Sequence, residues 1–188
     1  MFYSSEIIEF FYDGMPSKEI LLLHSGKVRD KALEIAASFP DADMELVSEG
    51  AMLHDIGIVF CDAPSIGCFG DEKYLLHGIL GAENLRAMKI DGIEKIARIC
   101  ERHTGSGLTA DEIRAGKLPL PERDLLPETL EEKIICLADK FYSKSDPDRE
   151  KSLPEIRREM EKFGKAPLER FDRLCTDLKG TSKNWLLG

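Results

Sequence analysis

Met44-Glu45-Leu46-Val47-Ser48-Glu49-Gly50-Ala51-Met52-Leu53-His54-Asp55-Ile56-Gly57 is the stretch from which the fold is read. Met44, Val47, Ala51 and His54 recur at three- and four-residue intervals, so they share one face of a helix. That face ends in an imidazole followed at once by a carboxylate. Asp41 or Asp43 supplies the N-cap. Gly57 is expected to end the helix, which puts His54 and Asp55 on its last turn. A single histidine on an apolar face is ordinarily a hydrogen-bonded core residue, and one such case decides nothing.

The pattern repeats outward in both directions. Leu21, His24, Val28 and Ile35 share a face of a segment that Ser17 caps and that reaches Phe39, before Pro40. His77, Gly81, Asn84 and Met88 line up in a third segment, and Ile93, Ile96, Cys100 and His103 in a fourth. Glu132, Ile135, Asp139 and Tyr142 form a stripe of a fifth, beside the more apolar Ile134, Leu137, Ala138 and Phe141. The chain has 4 histidines, and all of them fall on these faces. Burying several imidazoles and carboxylates without partners is costly, and a shared metal ion satisfies them together. Imidazole and carboxylate donors suit one or two divalent ions such as Fe, Mn, Zn, Ni, Co or Mg.

The remaining sequence bounds the answer. At 188 residues the chain suits one domain with short terminal additions, and no convincing strand is visible. The expected division is an N-terminal helical segment over 1–17, a central domain over 18–146 and a helical extension over 147–188. A net charge of -9 argues against broad nucleic-acid or anionic-membrane binding. The N-terminus has no basic run and no apolar stretch long enough to span a bilayer, so a cytoplasmic location is the default expectation. The 5 cysteines include no Cys-x-x-Cys pair. Cys100 and Cys136 read as small buried hydrophobes, whereas Cys61 and Cys68 flank a loop over Asp62–Gly70 and are open to mild reactivity.

Farther along, Thr109 or Asp111 caps a short helix to Ala115, and Pro127-Glu128 starts the helix of Asp139. Ser152 and Glu155 form a capping box, Gly164 stops that helix, and Pro167 begins another reaching Leu178. Ile156, Met160 and Phe163 in the first of these, and Phe171, Leu174 and Leu178 in the second, are expected to face inward. Phe2, Tyr3, Ile7, Ile8, Phe10 and Phe11 make an amphipathic N-terminal segment expected to pack on the domain, and Trp185 is placed against the tail or across a homodimer contact.

The order His24, His54-Asp55, Asp139 resembles the HD-domain superfamily of metal-dependent phosphohydrolases, and His54-Asp55-Ile56-Gly57 is the tetrapeptide of its HDIG subgroup. His77-Gly78-Ile79-Leu80-Gly81-Ala82-Glu83, Glu101 to Thr109 and Pro127 to Ile134 extend the likeness to a group of stand-alone HDIG proteins. The resemblance implies an all-α helical bundle with the metal site between core helices. It also implies that His24, His54, Asp55 and Asp139 hold one metal while His77 and His103 hold a second, with Asp55 bridging.

The activity implied is hydrolysis of a small phosphoester or phosphoanhydride, a nucleotide above all, by metal-activated hydroxide. Lys27, Arg102 and Lys140, each near a ligand in sequence, are the candidate catalytic cations beside Asp55. Thr104 to Gly107 is a candidate anion nest, and Asp30 and Glu83 are candidates to orient an imidazole. A di-iron oxygenase with the same six ligands and a nucleotide-sensing module without turnover are the alternatives.

Overall fold

The computed structural model describes residues 4–179. Over them the chain is the all-α bundle expected, with one small hairpin. The helices are α1 (Ser4–Tyr12), α2 (Lys18–Ala36), α3 (Met44–Leu53), α4 (His77–Ala87), α5 (Ile93–Arg102), α6 (Ala110–Ala115), α7 (Leu130–Asp139), α8 (Leu153–Glu161) and α9 (Lys165–Asp177). The hairpin pairs β1 (Asp62–Ala63) with β2 (Cys68–Phe69), antiparallel, with Asp62 opposite Phe69. Strands this short carry no readable alternation, which is why the stretch reads as a plain loop.

Local chemistry sets the helix ends. Asp43, not Asp41, caps α3 by accepting from the Leu46 amide at 3.0 Å. Thr109 opens α6 and Thr129 opens α7 through capping boxes with Glu112 and Glu132. α7 therefore starts later than Pro127-Glu128, and the Glu128 amide donates to Glu132 Oε2 at 2.6 Å. At α8 the Ser152 amide and hydroxyl donate to the Glu155 carboxylate at 2.8 and 2.9 Å. α2 stops at Ala36 instead of Phe39, and Ser17 precedes it without a side-chain cap bond. Gly164, at φ +105°, sits just before α9, which begins at Lys165 and not at Pro167.

α2 lies against α3 and α7, while α4 lies against α5 and the 3-10 turn Ile56–Phe60. α3 comes close to α5 and α7 at Gly50, where a Cβ would stand 2.6 Å from Ile99 Cδ1 and 3.0 Å from Ile135 Cδ1. One core gathers Val28, Ile35, Val47, Ala51, Ile135 and Phe141 and continues under α8 and α9 through Ile156, Met160 and Phe171. Leu174 and Leu178 are also buried, but Phe163 is 70% exposed, because it follows the last turn of α8 and leaves the inward stripe.

A second core joins Ile7, Ile8 and Tyr12 of α1 to Leu53, Ile56, Ile96 and Cys100. Phe10 stays on the surface. The Tyr12 hydroxyl donates to Ile56 O at 2.9 Å and accepts from the Val59 amide at 3.1 Å. α1 is thereby tied to the turn that follows Asp55. Phe2, Tyr3 and Trp185 lie outside the described residues. Among the described residues, no helix is long and apolar enough to cross a membrane.

Candidate metal centre

His54 caps the C-terminus of α3, and its Nδ1 lies 2.7 Å from Ala51 O. An ended helix leaves such carbonyls without amide partners, so the imidazole takes one up. A contact from Nδ1 to a main-chain carbonyl recurs twice, although Tyr74 O also accepts from the His77 amide. His103, the C-cap of α5, places Nδ1 2.7 Å from Cys100 O, and His77, at the start of α4, places Nδ1 2.7 Å from Tyr74 O. A proton held on Nδ1 by a carbonyl leaves the Nε2 lone pair free to ligate. Main-chain carbonyls therefore do the orienting that Asp30 and Glu83 were candidates for. Asp30 pairs with Arg29 at 2.8 Å on the surface, and Glu83 is exposed.

The Nε2 atoms converge on Asp55. His24 Nε2 lies 3.2 Å from Asp55 Oδ2 and 3.1 Å from Asp139 Oδ1. His54 Nε2 lies 3.1 Å and 3.4 Å from the same two oxygens. On its other side, Asp55 Oδ1 is 3.4 Å from both His77 Nε2 and His103 Nε2. Two ligand sets result: His24, His54, Asp55 and Asp139, and then Asp55, His77 and His103, each with donor atoms within 4.8 Å of one another. Asp55 belongs to both and offers one oxygen to each.

These residues fit a cation. Both Asp55 oxygens and His54 Nε2 are buried and make no directed hydrogen bond, although neighbours crowd them. Imidazole nitrogens and carboxylate oxygens converging in so buried a place are a donor set that a metal ion satisfies. Burial alone would raise Asp55, but His54 and Lys144 outweigh it and hold the carboxyl well below its usual range. Burial is likewise outweighed at Asp139, chiefly by Lys140 and His24. Burial pushes His77 down to about 3 and also lowers His103, so both stand as neutral donors at neutral pH. At His54 burial is overcome by Asp55 and Asp139, which raise it to about 9, so ligation there displaces a proton.

Asp139 opens onto a cavity of about 480 Å³ whose wall carries Lys140, Lys144, Lys151, Tyr74, Tyr142 and Phe163. Lys140 Nζ lies 2.6 Å from Asp139 Oδ2 and donates to His103 O at 3.2 Å. Lys144 Nζ lies 2.5 Å from Asp55 Oδ2. Lys144 escaped the sequence reading because it follows α7 in an irregular stretch with no periodicity to aim it; closeness to Asp139 in sequence was the one available signal.

Two other candidate cations are corrected. Lys27 pairs with Asp148 at 3.4 Å, is partly exposed, and is not one of the residues lining the cavity. Arg102 is turned away from His103, donates to Leu126 O at 2.8 Å and pairs with Glu128 at 2.8 Å, so it braces the connection before α7. Arg102 is adjacent to the inward His103, and a neighbouring side chain points about 100° around the helix; Lys27, three residues from His24, shares its side of α2 but is held by Asp148.

In the Thr104–Gly107 turn, Gly105 lines the cavity, but the Gly107 amide is used on Thr104 O at 3.0 Å and the Ser106 hydroxyl donates to Pro167 O at 2.8 Å. The turn is built into the contact with α9 more than into an anion nest. Cys100 and Cys136 are buried as expected; Cys61 and Cys68 are buried too, and burial pushes Cys61 up to about 11 and raises Cys68, against the reactivity allowed for them.

This arrangement defines a class. Residues 21–143 match the HD domain family model, and the chain belongs to that family. Over 125 residues it is 40% identical to a tRNA (cytidine(56)-2'-O)-methyltransferase of Picrophilus torridus, covering 66% of this chain and 32% of the relative. Over 125 residues it is 42% identical to uncharacterized protein MJ0778 of Methanocaldococcus jannaschii, covering 64% of this chain and 65% of the relative. A methyltransferase of the same name from Thermoplasma volcanium is 34% identical over 127 residues, covering 68% and 33%. The chain thus spans about a third of each methyltransferase. No solved structure matches it.

Proposed function

We propose that this chain is a metal-dependent phosphohydrolase acting on a small phosphoester or phosphoanhydride, with nucleotides as the substrate class. The observation that carries the reading is the pair of ligand sets sharing Asp55 beside a lysine-walled cavity. Divalent cations held by His24, His54, Asp55 and Asp139, and by Asp55, His77 and His103, supply Lewis acidity that acidifies water and draws charge from phosphoryl oxygens.

The chain's own residues do the rest. Lys140, tethered to Asp139 Oδ2 and His103 O, sets an ammonium at the cavity wall where phosphoryl oxygens gain negative charge. Lys151, paired with Glu159 at 2.7 Å, adds charge farther out. Tyr142 and Phe163, with Tyr74 stacked on His77 at 4.8 Å between centroids, offer flat faces on which a base can lie. The cavity volume falls in the ~300–1,000 Å³ range of small-molecule sites. An overall charge of -9 with lysines gathered at this wall favours a small anion over a long polyanion.

Two relatives carry the name of tRNA methyltransferases, so RNA-derived mono- and dinucleotides belong in the substrate panel. The test is elemental analysis of the purified protein, then phosphate release from that panel with and without the metal found. About two equivalents and metal-dependent release are expected. Bound iron with oxygen uptake and no release would support the oxygenase instead. Ligand binding without turnover would support the sensing module, and a protein that takes up no metal would overturn the reading.

A further inference from the structure

The geometry points to Lys144 as an exchangeable internal cation of the metal centre. Its ammonium neutralises Asp55 when the first metal position is empty, and it moves into the cavity to bind a phosphoryl oxygen when a metal takes that position. The inference rests on the reading of the two ligand sets as a metal centre.

Lys140 and Lys144 differ in which oxygen they occupy. Asp139 turns Oδ1 toward His24 and His54, at 3.1 and 3.4 Å, and gives Oδ2 to Lys140 at 2.6 Å. Lys140 thus sits behind the ligating oxygen, and a cation can bind without disturbing it. Lys144 does the opposite. Its Nζ lies 2.5 Å from Asp55 Oδ2, the oxygen that also faces His24 at 3.2 Å and His54 at 3.1 Å. An ammonium and a divalent cation on one carboxylate oxygen repel each other strongly in so buried a place. One of them must leave, and Lys144 is the one on a flexible four-carbon stem.

The structure also supplies a place for it to go. Lys144 is 15% exposed at its side chain, lines the cavity, and lies 5.8 Å from the centroid of the Tyr74 ring. Its backbone belongs to the Ser143–Asp146 turn, closed by an Asp146 amide to Ser143 O bond of 3.2 Å, outside any helix. A small rotation of the stem keeps the ammonium near the face of Tyr74 while turning it from Asp55 toward the cavity. There it meets the negative charge of a phosphoryl group at the wall it shares with Lys140.

The test uses Mn²⁺ and inorganic phosphate as probes on the full chain. In calorimetric titration, Lys144→Met is expected to bind its first Mn²⁺ at least tenfold more tightly than wild type. Metal-free Lys144→Met should melt below metal-free wild type, the two Mn²⁺-loaded proteins should melt together, and Lys144→Arg should restore the wild-type order. A purely structural lysine would lower both melts.

Should metal-free Lys144→Met not fold, wild type alone decides: amine acetylation read by mass spectrometry should be at least threefold faster at Lys144 with Mn²⁺, and inorganic phosphate should reverse the gain. Wild type that binds Mn²⁺ while the variant's affinity and the Lys144 labelling stay unchanged overturns the role of Lys144 alone. Wild type that binds no Mn²⁺ overturns the metal centre and this inference with it.

Discussion

Replacing Gly57 by alanine is expected to detach the second ligand set from the first. A Cβ at this position would stand 2.1 Å from His77 O, 2.4 Å from Gly81 N and 2.9 Å from Gly81 Cα. All three are backbone atoms, so no side-chain rotation relieves them, and α4 must retreat by roughly 1 Å to restore ordinary contact. Overpacking of this kind costs about 1–3 kcal/mol, and the triple clash places Gly57→Ala at the upper end. At about 2–4 °C per kcal/mol for a chain of this size, the melting temperature should fall by roughly 6–12 °C.

The consequence for the site is selective. His77 rides on α4 with its Nε2 3.4 Å from Asp55 Oδ1, whereas His24, His54 and Asp139 are set by α2, α3 and α7. Metal–ligand distances tolerate only about 0.2 Å, so a retreat of α4 should remove the second ion and spare the first. Circular-dichroism melts and elemental analysis after equilibration with Mn²⁺ measure both effects. Gly26→Ala serves as the control. Its Cβ would meet nothing within 4 Å, and alanine in α2 should leave the melt unchanged or raise it. A Gly57→Ala protein that melts within about 1 °C of wild type and keeps both ions would refute the reasoning.

Other substitutions probe the same site. Asp55→Ala should strip both ions and abolish metal-dependent turnover, since each ligand set uses one of its oxygens; full activity in that variant would mean the site is elsewhere. His103→Ala should lower the metal content by one ion and leave the other, and unchanged content would show His103 to be a core residue. Glu101 is buried between Arg86 and Arg123, each 2.9 Å away; burial works to raise its carboxyl, but the two guanidinium groups bring it down to about 2. A carboxyl lowered in the fold contributes stability above its unfolded value of about 4.3 and loses it as pH falls toward the folded value. Glu101→Gln should therefore be less stable than wild type at neutral pH, with the gap closing below about pH 4 in urea unfolding. A gap that stays constant with pH would count against the clamp.

The candidate ligands were legible because each lies on a helix, or at its end, where the 3.6-residue apolar period fixes the inward face. For His24, His54, His77, His103 and Asp139 that period gave the inward face, and the resemblance to HD-domain proteins gave the ligand role. Three kinds of residue escaped it. Lys144 lies past the end of α7, where periodicity no longer says where a side chain points. Lys27 and Arg102 are near ligands in sequence but point elsewhere, to Asp148 and to Glu128. The groups that orient His54, His77 and His103 are carbonyls of Ala51, Tyr74 and Cys100, and a carbonyl has no letter in the sequence. Gly57 was read through the conformational freedom of glycine, as a helix stop. Its real demand is for space, since α3 has already ended at Leu53 and the backbone of α4 passes where a side chain would be.

The placement of those histidines also prepares the site for positive charge. α3 ends beside His54, α5 ends beside His103, and α7 ends at Asp139. Each helix carries roughly half a negative charge at its C-terminus, and three such ends meet at Asp55 and Asp139 against the N-terminus of α4 at His77 and that of the short 3-10 turn that follows Asp55. A helix end that lends a carbonyl to an imidazole thus also adds its dipole to the field around the carboxylates. The same field favours the two partly buried lysines, Lys140 and Lys144, that stand on those carboxylates. Ligand variants should divide accordingly. Removing one imidazole leaves the helix ends and both carboxylates in place, so cations should still gather there weakly while losing defined geometry. Removing Asp55 takes away the one group the two ligand sets hold in common, and with it the attraction that neither set supplies alone.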